Sequence, residues 1–72
     1  MNNWISIADK LPPINEPVLF CCLEEWGQFG DVDLGWFEGH ETQGEAIAME
    51  TSSDGWYPCT HWMELPLVPE VP

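Results

Sequence analysis

Thirteen of the 72 residues are aspartate or glutamate, so carboxylates are the chemical groups that this sequence offers most abundantly. Lys10 is the only lysine or arginine, and the formal net charge at pH 7 is −12. Asp31 and Asp33 alternate along a strand-like segment, where a rise of ~3.3 Å per residue places them about 6.6 Å apart on one face. Phosphates recur every ~3.4 Å along one strand of a nucleic acid. A ladder of carboxylates can therefore imitate nucleic acid and bind the basic groove of a nucleic-acid-binding protein.

Further carboxylates lie in the loops near these two aspartates and surround one tryptophan. Trp26 follows two glutamates in a polar turn, and an aromatic side chain ringed by acidic groups suits a contact with a basic partner. The residues that we predict to bind a partner are Glu24, Glu25, Trp26, Asp31, Asp33, Glu38, Glu41 and Glu45. The alternative interpretation is a solvated acidic surface that keeps the protein soluble, with Trp26 packed in the core.

The cysteines and histidines form a second group of residues with possible chemistry. They supply enough sulfur and nitrogen ligands for a tetrahedral zinc ion. The residues in question are Cys21, Cys22, His40, Cys59 and His61. Their spacing differs from that of paired C-x₂-C motifs, and free cysteine is common in protein cores. We therefore predict no metal and no cofactor, and a zinc-stabilised structural module remains the alternative.

Catalysis has one candidate pair, Cys59 and His61, whose i, i+2 spacing puts both side chains on one face of a strand. A thiolate beside an imidazole can act as a nucleophile. No glycine-rich phosphate loop accompanies the pair, and nothing in the sequence supplies an oxyanion hole. A chain of this length also has little room for a pocket that excludes water. We predict that the protein is not an enzyme.

The elements that must position these residues are short. Ser6 and Asp9 favour one N-terminal helical turn, which Pro12 and Pro13 would end. Residues 18–23 are apolar on both faces, which predicts a central buried strand. Residues 57–63 alternate in polarity and predict a last strand. The segment between Glu38 and Asp54 is compatible with a helix or with a short strand at residues 46–49.

Residues 31–37 alternate in polarity and predict a half-exposed strand, antiparallel to the first. Val32, Leu34 and Trp36 share one side, and Asp31, Asp33 and Gly35 share the other. Most tryptophans are expected in the core, with Trp36 packed against Trp62. The predicted fold is a small α+β or all-β domain, a three- to four-stranded antiparallel meander with a short N-terminal helical turn. It would span residues 1–66 and be followed by an extended proline-rich tail at residues 67–72.

The composition excludes several classes of protein. With 44% apolar residues, the chain is expected to fold as one domain and not to form a disordered acidic tail. No run approaches the ~18 apolar residues of a membrane span, and Met1-Asn2-Asn3-Trp4 lacks the basic start of a signal peptide. One lysine cannot neutralise phosphates, which excludes direct binding to nucleic acid or to anionic membranes. The odd number of cysteines predicts a reduced, cytosolic protein.

Three segments carry a resemblance to a known family. They are Trp4-Ile5-Ser6 leading to Leu11-Pro12, then Pro17-Val18-Leu19, and then Thr60-His61-Trp62-Met63-Glu64-Leu65-Pro66. Together they resemble the small phage and prophage proteins grouped as domain of unknown function 551. The resemblance spans nearly the whole chain and implies a phage or mobile-element origin, without implying an activity. The extreme acidity and the adjacent cysteines depart from the family pattern.

These observations predict a small acidic protein, derived from a phage, that works by binding in the host cytoplasm. The expected partner is a basic nucleic-acid-binding host protein, such as a CRISPR effector or a restriction enzyme, which the chain would inhibit. Host defence nucleases have basic grooves that a phosphate-like surface would block. The alternative is a structural or zinc-stabilised interaction module with no inhibitory role. The oligomeric state stays open, because an exposed strand edge can pair two copies.

Overall fold

Short apolar runs, separated by proline, glycine and polar turns, make up this sequence and favour strands over helices. A computed structural model describes residues 3–24, 31–42, 44–53 and 55–66. Within those ranges it contains β-strands and no helix. The strands are β1 (Ile5–Ser6), β2 (Val18–Cys21), β3 (Val32–Glu41), β4 (Ile47–Thr51), β5 (Gly55–Cys59) and β6 (His61–Glu64). All strand pairs are antiparallel, in one sheet of order β1-β6-β2-β3-β4-β5.

The sheet curls because β3 is long enough to belong to both of its halves. Residues 32–35 of β3 pair with β2, and the rest of the strand, from Trp36 onward, pairs with β4. β2 also lies near β5, so the two halves approach each other across one face. We call this the inner face and the opposite one the outer face. The core on the inner face consists of Val18, Phe20, Phe37, Ile47, Met49, Cys59 and Trp62.

Trp62 is the largest fully buried side chain of the described residues, with 1% of its surface exposed. It lies opposite Ile5 on one neighbouring strand and opposite Phe20 on the other. Its indole Nε1 donates a hydrogen bond of 2.8 Å to the carbonyl oxygen of Lys10. That bond satisfies the polar atom of a buried tryptophan and ties the turn after β1 to the core.

The prediction of an N-terminal helical turn was wrong, as was the predicted number of strands. Ile5 and Ser6 form β1, and the carbonyl of Ser6 then accepts hydrogen bonds from the amides of Asp9 and Lys10 in a turn that does not continue as a helix. The predicted last strand is divided into β5 and β6 at Thr60. Of the two alternatives for the middle segment, the strand is confirmed as β4.

Thr60 divides the last strand because three long-range hydrogen bonds hold it in place. Its amide donates to the carbonyl of Cys21, its carbonyl accepts from the amide of Ile7, and its Oγ1 accepts from the amide of Leu23 at 3.0 Å. The chain before Thr60 therefore pairs with β4, and the chain after it pairs with β2 and β1. We call this interruption the Thr60 corner. It is one reason why the sheet has more strands than the predicted meander.

The predicted alternation of β3 is present, and the side that carries Gly35 packs against the core, although Asp33 at the start of the strand is exposed. Gly35 and Phe37 are buried, whereas Val32 and Leu34 are 55% and 49% exposed. Trp36 shares the outer face with them and is not part of the core that contains Trp62. The physical reason is the ring of Phe20, which covers Gly35 and leaves no space for a side chain there.

Gly35→Ala is expected to lower the free energy of unfolding by about 1–3 kcal/mol, the usual cost of overfilling a packed site. A Cβ at this position would lie 2.5 Å from the carbonyl oxygen of Glu50 and 2.8 Å from Cε1 of Phe20. The neighbouring strand or the buried ring must therefore move. Urea unfolding followed by circular dichroism measures the change. An unchanged midpoint would show that Gly35 is not tightly packed.

Candidate partner-binding surface

Three of the predicted carboxylates line one open cleft of about 560 Å³. They are Glu24, which follows β2, Glu41 at the end of β3, and Glu45 in the turn before β4. His61 and Thr60 contribute to the same cleft, as do residues of the turn after β1. Residues that are far apart in the sequence thus place three negative charges around one concave surface.

The turn between β3 and β4 brings Glu41 and Glu45 into the lining of the cleft. Thr42 donates from its Oγ1 to the carbonyl of Ala46 at 2.8 Å, and its amide donates to the same oxygen at 3.4 Å. Gly44 adopts a φ of 116°, which favours glycine and allows the chain to reverse tightly. Both glutamates are exposed, so the fold leaves their charges in water and does not meet the cost of burying them.

Glu24 reaches the cleft because Thr60 holds the chain after β2. The bond from the amide of Leu23 to Oγ1 of Thr60 fixes the residue just before Glu24, which is half-buried. The same hydroxyl is 2.9 Å from Nδ1 of His61. His61 is therefore engaged in a hydrogen bond within the fold.

Asp31, Asp33 and Glu38 do not line the cleft. Asp31 and Asp33 are exposed at the start of β3, where Oδ1 of Asp33 accepts a hydrogen bond from the amide of Leu34. Glu38 is exposed and accepts a hydrogen bond of 2.7 Å from Nε1 of Trp36. Glu25, Trp26 and the predicted tail at residues 67–72 lie outside the described residues. Of the predicted carboxylates in the described part of the chain, three line the cleft and three do not.

The outer face carries residues that sequence reasoning missed as candidates for binding. Two rows cross the strands on this face, because residues directly opposite each other in a sheet project to the same side. The apolar row consists of Met63, Leu19 and Leu34 on β6, β2 and β3. The tryptophan–glutamate row consists of Trp36, Glu50 and Trp56 on β3, β4 and β5. The polarity pattern of β3 places Trp36 with Leu34, but it does not say which side is exposed.

The three cysteines are buried, and burial raises the pKa of two of them. Burial raises the pKa of the Cys59 thiol to about 12, and the neighbouring Cys21 and Cys22 add to the effect. Burial also raises the pKa of Cys21, with a smaller contribution from Cys22. A thiol with a raised pKa is protonated at neutral pH and is a weak nucleophile. The Cys59–His61 pair accordingly does not supply a thiolate.

The buried Cys59 thiol predicts a loss of stability at alkaline pH. In the unfolded chain the thiol titrates near 9.0, and in the folded chain near 12. Between these values the unfolded state loses a proton that the folded state keeps, so the free energy of unfolding falls by about 1.4 kcal/mol per pH unit. Below pH 9 this contribution is constant. Urea unfolding between pH 8 and 11 under reducing conditions should show the slope, and Cys59→Ala should show a smaller one, because it keeps the raised pKa of Cys21. Equal slopes in both proteins would contradict the assignment.

The described residues give no support to a zinc site or to a membrane span. In residues 3–24, 31–42, 44–53 and 55–66, no group of three or more His, Cys, Asp or Glu side chains is arranged to hold a metal ion. The same part of the chain has no helix that is long and apolar enough to cross a membrane.

The fold and the surface define a small all-β protein whose single curled sheet carries a strongly acidic exterior. The chain belongs to the family described as "Protein of unknown function (DUF551)", whose model matches residues 3–70. This match confirms the family resemblance seen in the sequence motifs. Neither the curated proteins nor the solved structures contain a significant match.

Proposed function

We propose that this protein is an acidic, phage-derived inhibitor of a host nucleic-acid-binding defence complex, of the CRISPR or restriction type. It would act in the host cytoplasm by placing carboxylates where the complex holds nucleic-acid phosphates. The proposed partner is basic, and a strongly acidic domain is steered towards it by long-range attraction. The phage origin is an inference from the sequence motifs of the family.

One observation carries the proposal: Glu24, Glu41 and Glu45 line one open cleft in a chain whose formal net charge is −12. Carboxylates gathered around a concave surface concentrate negative potential there, as phosphates do in a nucleic-acid groove. Repulsion among like charges costs folding free energy, most strongly at low salt. A formal net charge of this size therefore lowers the stability of the fold, and a role in binding would explain why the sequence carries it.

The zinc-stabilised module is the weaker alternative. Its ligands would have to come from the cysteines and histidines, and the described residues place no suitable group of three together. Cys59 donates its thiol proton to the carbonyl of His61, which is an ordinary structural role for a buried cysteine.

The proposed function is tested by phage plating on a panel of bacterial strains that each carry one CRISPR or restriction system. Expression of the protein should raise the plating efficiency of a targeted phage on at least one strain. The triple variant Glu24→Lys, Glu41→Lys and Glu45→Lys should not raise it. A plating efficiency that stays unchanged on every strain, with the protein folded and abundant in the cells, would contradict the proposal.

A further inference from the structure

The tryptophan–glutamate row lies on the outer face and does not contribute to the core. Its residue types and their exposure are therefore not explained by folding alone. Trp56 is 52% exposed, and Trp36 and Glu50 are half-buried. A domain of this size buries only about 60% of its unfolded surface, so leaving a large indole in water gives up scarce stabilisation. An exposed aromatic residue on a strongly charged surface is a common feature of a binding site.

The register of the sheet fixes how these three residues are arranged. Glu50 lies directly opposite Trp36 on β3 and directly opposite Trp56 on β5. Cβ atoms of directly opposed residues lie about 4.5–5.5 Å apart. The row therefore consists of one carboxylate flanked on both sides by an indole, all three on the same face.

A second carboxylate reinforces the row. Glu38 follows Trp36 by two residues on β3 and accepts the indole Nε1 hydrogen bond at 2.7 Å. That bond restricts the rotation of the Trp36 ring and keeps a negative charge at its edge. Both effects favour a cation at this position, because the ring face and the carboxylate attract positive charge together.

We propose that the tryptophan–glutamate row binds the guanidinium group of an arginine side chain presented by a basic protein. A guanidinium paired with the Glu50 carboxylate would lie within about 6 Å of an indole on either side, the distance over which cation–π attraction acts. Arginine fits better than lysine, because its planar group stacks on aromatic rings and binds a carboxylate through two hydrogen bonds. Beside it, the apolar row of Leu19, Leu34 and Met63 offers a contact for apolar residues flanking the arginine.

The choice of occupant rests on the proposed function, since the basic partner supplies the arginine. Charge complementarity argues for the same choice. A second copy of this chain would bring another formal charge of −12 to the interface and has no arginine to offer. Like charges facing each other in this way oppose association.

The test is a titration of the isotope-labelled protein with a short peptide in which two arginines are flanked by leucines. The indole N–H signals of Trp36 and Trp56 are followed by NMR at 0.15 M NaCl. We expect both signals to shift and to saturate. A peptide with citrulline in place of arginine has the same shape without the charge, and a peptide with lysine keeps the charge without the planar group. We expect the citrulline peptide to cause no saturable shift and the lysine peptide to bind more weakly.

Variants locate the site. Glu50→Gln is isosteric and should weaken binding of the arginine peptide by at least about tenfold, the scale of a lost charge-assisted hydrogen bond. Glu16→Gln removes the same charge from an exposed residue outside the row and should change the affinity less than twofold. Trp56→Ala should also weaken binding, while circular dichroism confirms that each variant is folded. Equal binding of the citrulline or lysine peptide, or equal effects of Glu50→Gln and Glu16→Gln, would overturn the proposal.

The outcome separates this inference from the proposed function. If the arginine peptide binds at the row but no defence system is inhibited, the site stands and the proposed function fails. If the protein inhibits a defence system and neither Glu50→Gln nor Trp56→Ala changes that inhibition, the proposed function is supported. The arginine site is then not part of the inhibitory interface.

Discussion

Replacing Trp62 by alanine is expected to remove a large part of the free energy of unfolding. Trp62 is 1% exposed and lies between Ile5 and Phe20 at the centre of the core. Removal of a buried aromatic side chain costs about 3–5 kcal/mol. A domain of 72 residues has a total stability of about 4–11 kcal/mol at typical values per residue. The substitution also removes the hydrogen bond that ties Lys10 to the core. Urea unfolding monitored by circular dichroism measures the loss.

Trp56→Ala is the matched control for this prediction. Trp56 is 52% exposed on the outer face, so the same change of residue there should lower stability by no more than about 1 kcal/mol. Similar losses for the two variants would mean that the inner and outer faces have been assigned wrongly. Trp62→Phe should fall between them, because it keeps an aromatic ring in the core but loses the indole hydrogen bond.

The second large effect concerns association with the proposed basic partner. The triple variant Glu24→Lys, Glu41→Lys and Glu45→Lys reverses the charges around the cleft and changes the formal net charge from −12 to −6. Electrostatic steering accelerates association by about 10–10³-fold, and most of that gain should be lost. Surface plasmon resonance with the captured complex at low salt measures the association rate.

A second triple variant separates the position of the charges from their number. Asp9→Lys, Glu16→Lys and Glu64→Lys change the net charge by the same amount at exposed residues that do not line the cleft. This variant should retain most of the association rate. If both triple variants slow association equally, the net charge alone acts, and the cleft has no special role.

The strands that carry strong local patterns were predictable from the sequence. The apolar run at residues 18–23 gave β2, which is central in the sheet, although Leu23 is exposed and lies beyond the end of the strand. The alternation at residues 31–37 gave β3 and its antiparallel pairing with β2. Both predictions used patterns that are complete within one segment of the chain.

The features that were missed depend on contacts between distant segments. Thr60 interrupts the last strand through hydrogen bonds to Cys21, Leu23 and Ile7, which no local pattern reveals. The orientation of β3 depends on the ring of Phe20 above Gly35. Alternation shows which residues share a face, but the same pattern fits either face towards the core.

The residue types on the candidate surface could be predicted from the sequence, but their positions relative to one another could not. Exposed carboxylates follow from their chemistry, because unpaired charges are costly to bury. Their grouping into a cleft depends on the turn between β3 and β4 and on the Thr60 corner. The tryptophan–glutamate row was missed because tryptophan in a small domain is usually core, and only the register of β3, β4 and β5 places Glu50 between two indoles.

The proposed function requires the protein to bind a basic host protein in place of nucleic acid. The most direct measurement is a pull-down from bacterial lysate at low salt, repeated with competitor double-stranded DNA and with the Glu24, Glu41 and Glu45 triple variant as bait. Bound proteins are identified by mass spectrometry. We predict that one basic nucleic-acid-binding complex is recovered, and that competitor DNA and the charge reversal each remove it. A partner that survives both, or no partner at all, would contradict phosphate mimicry.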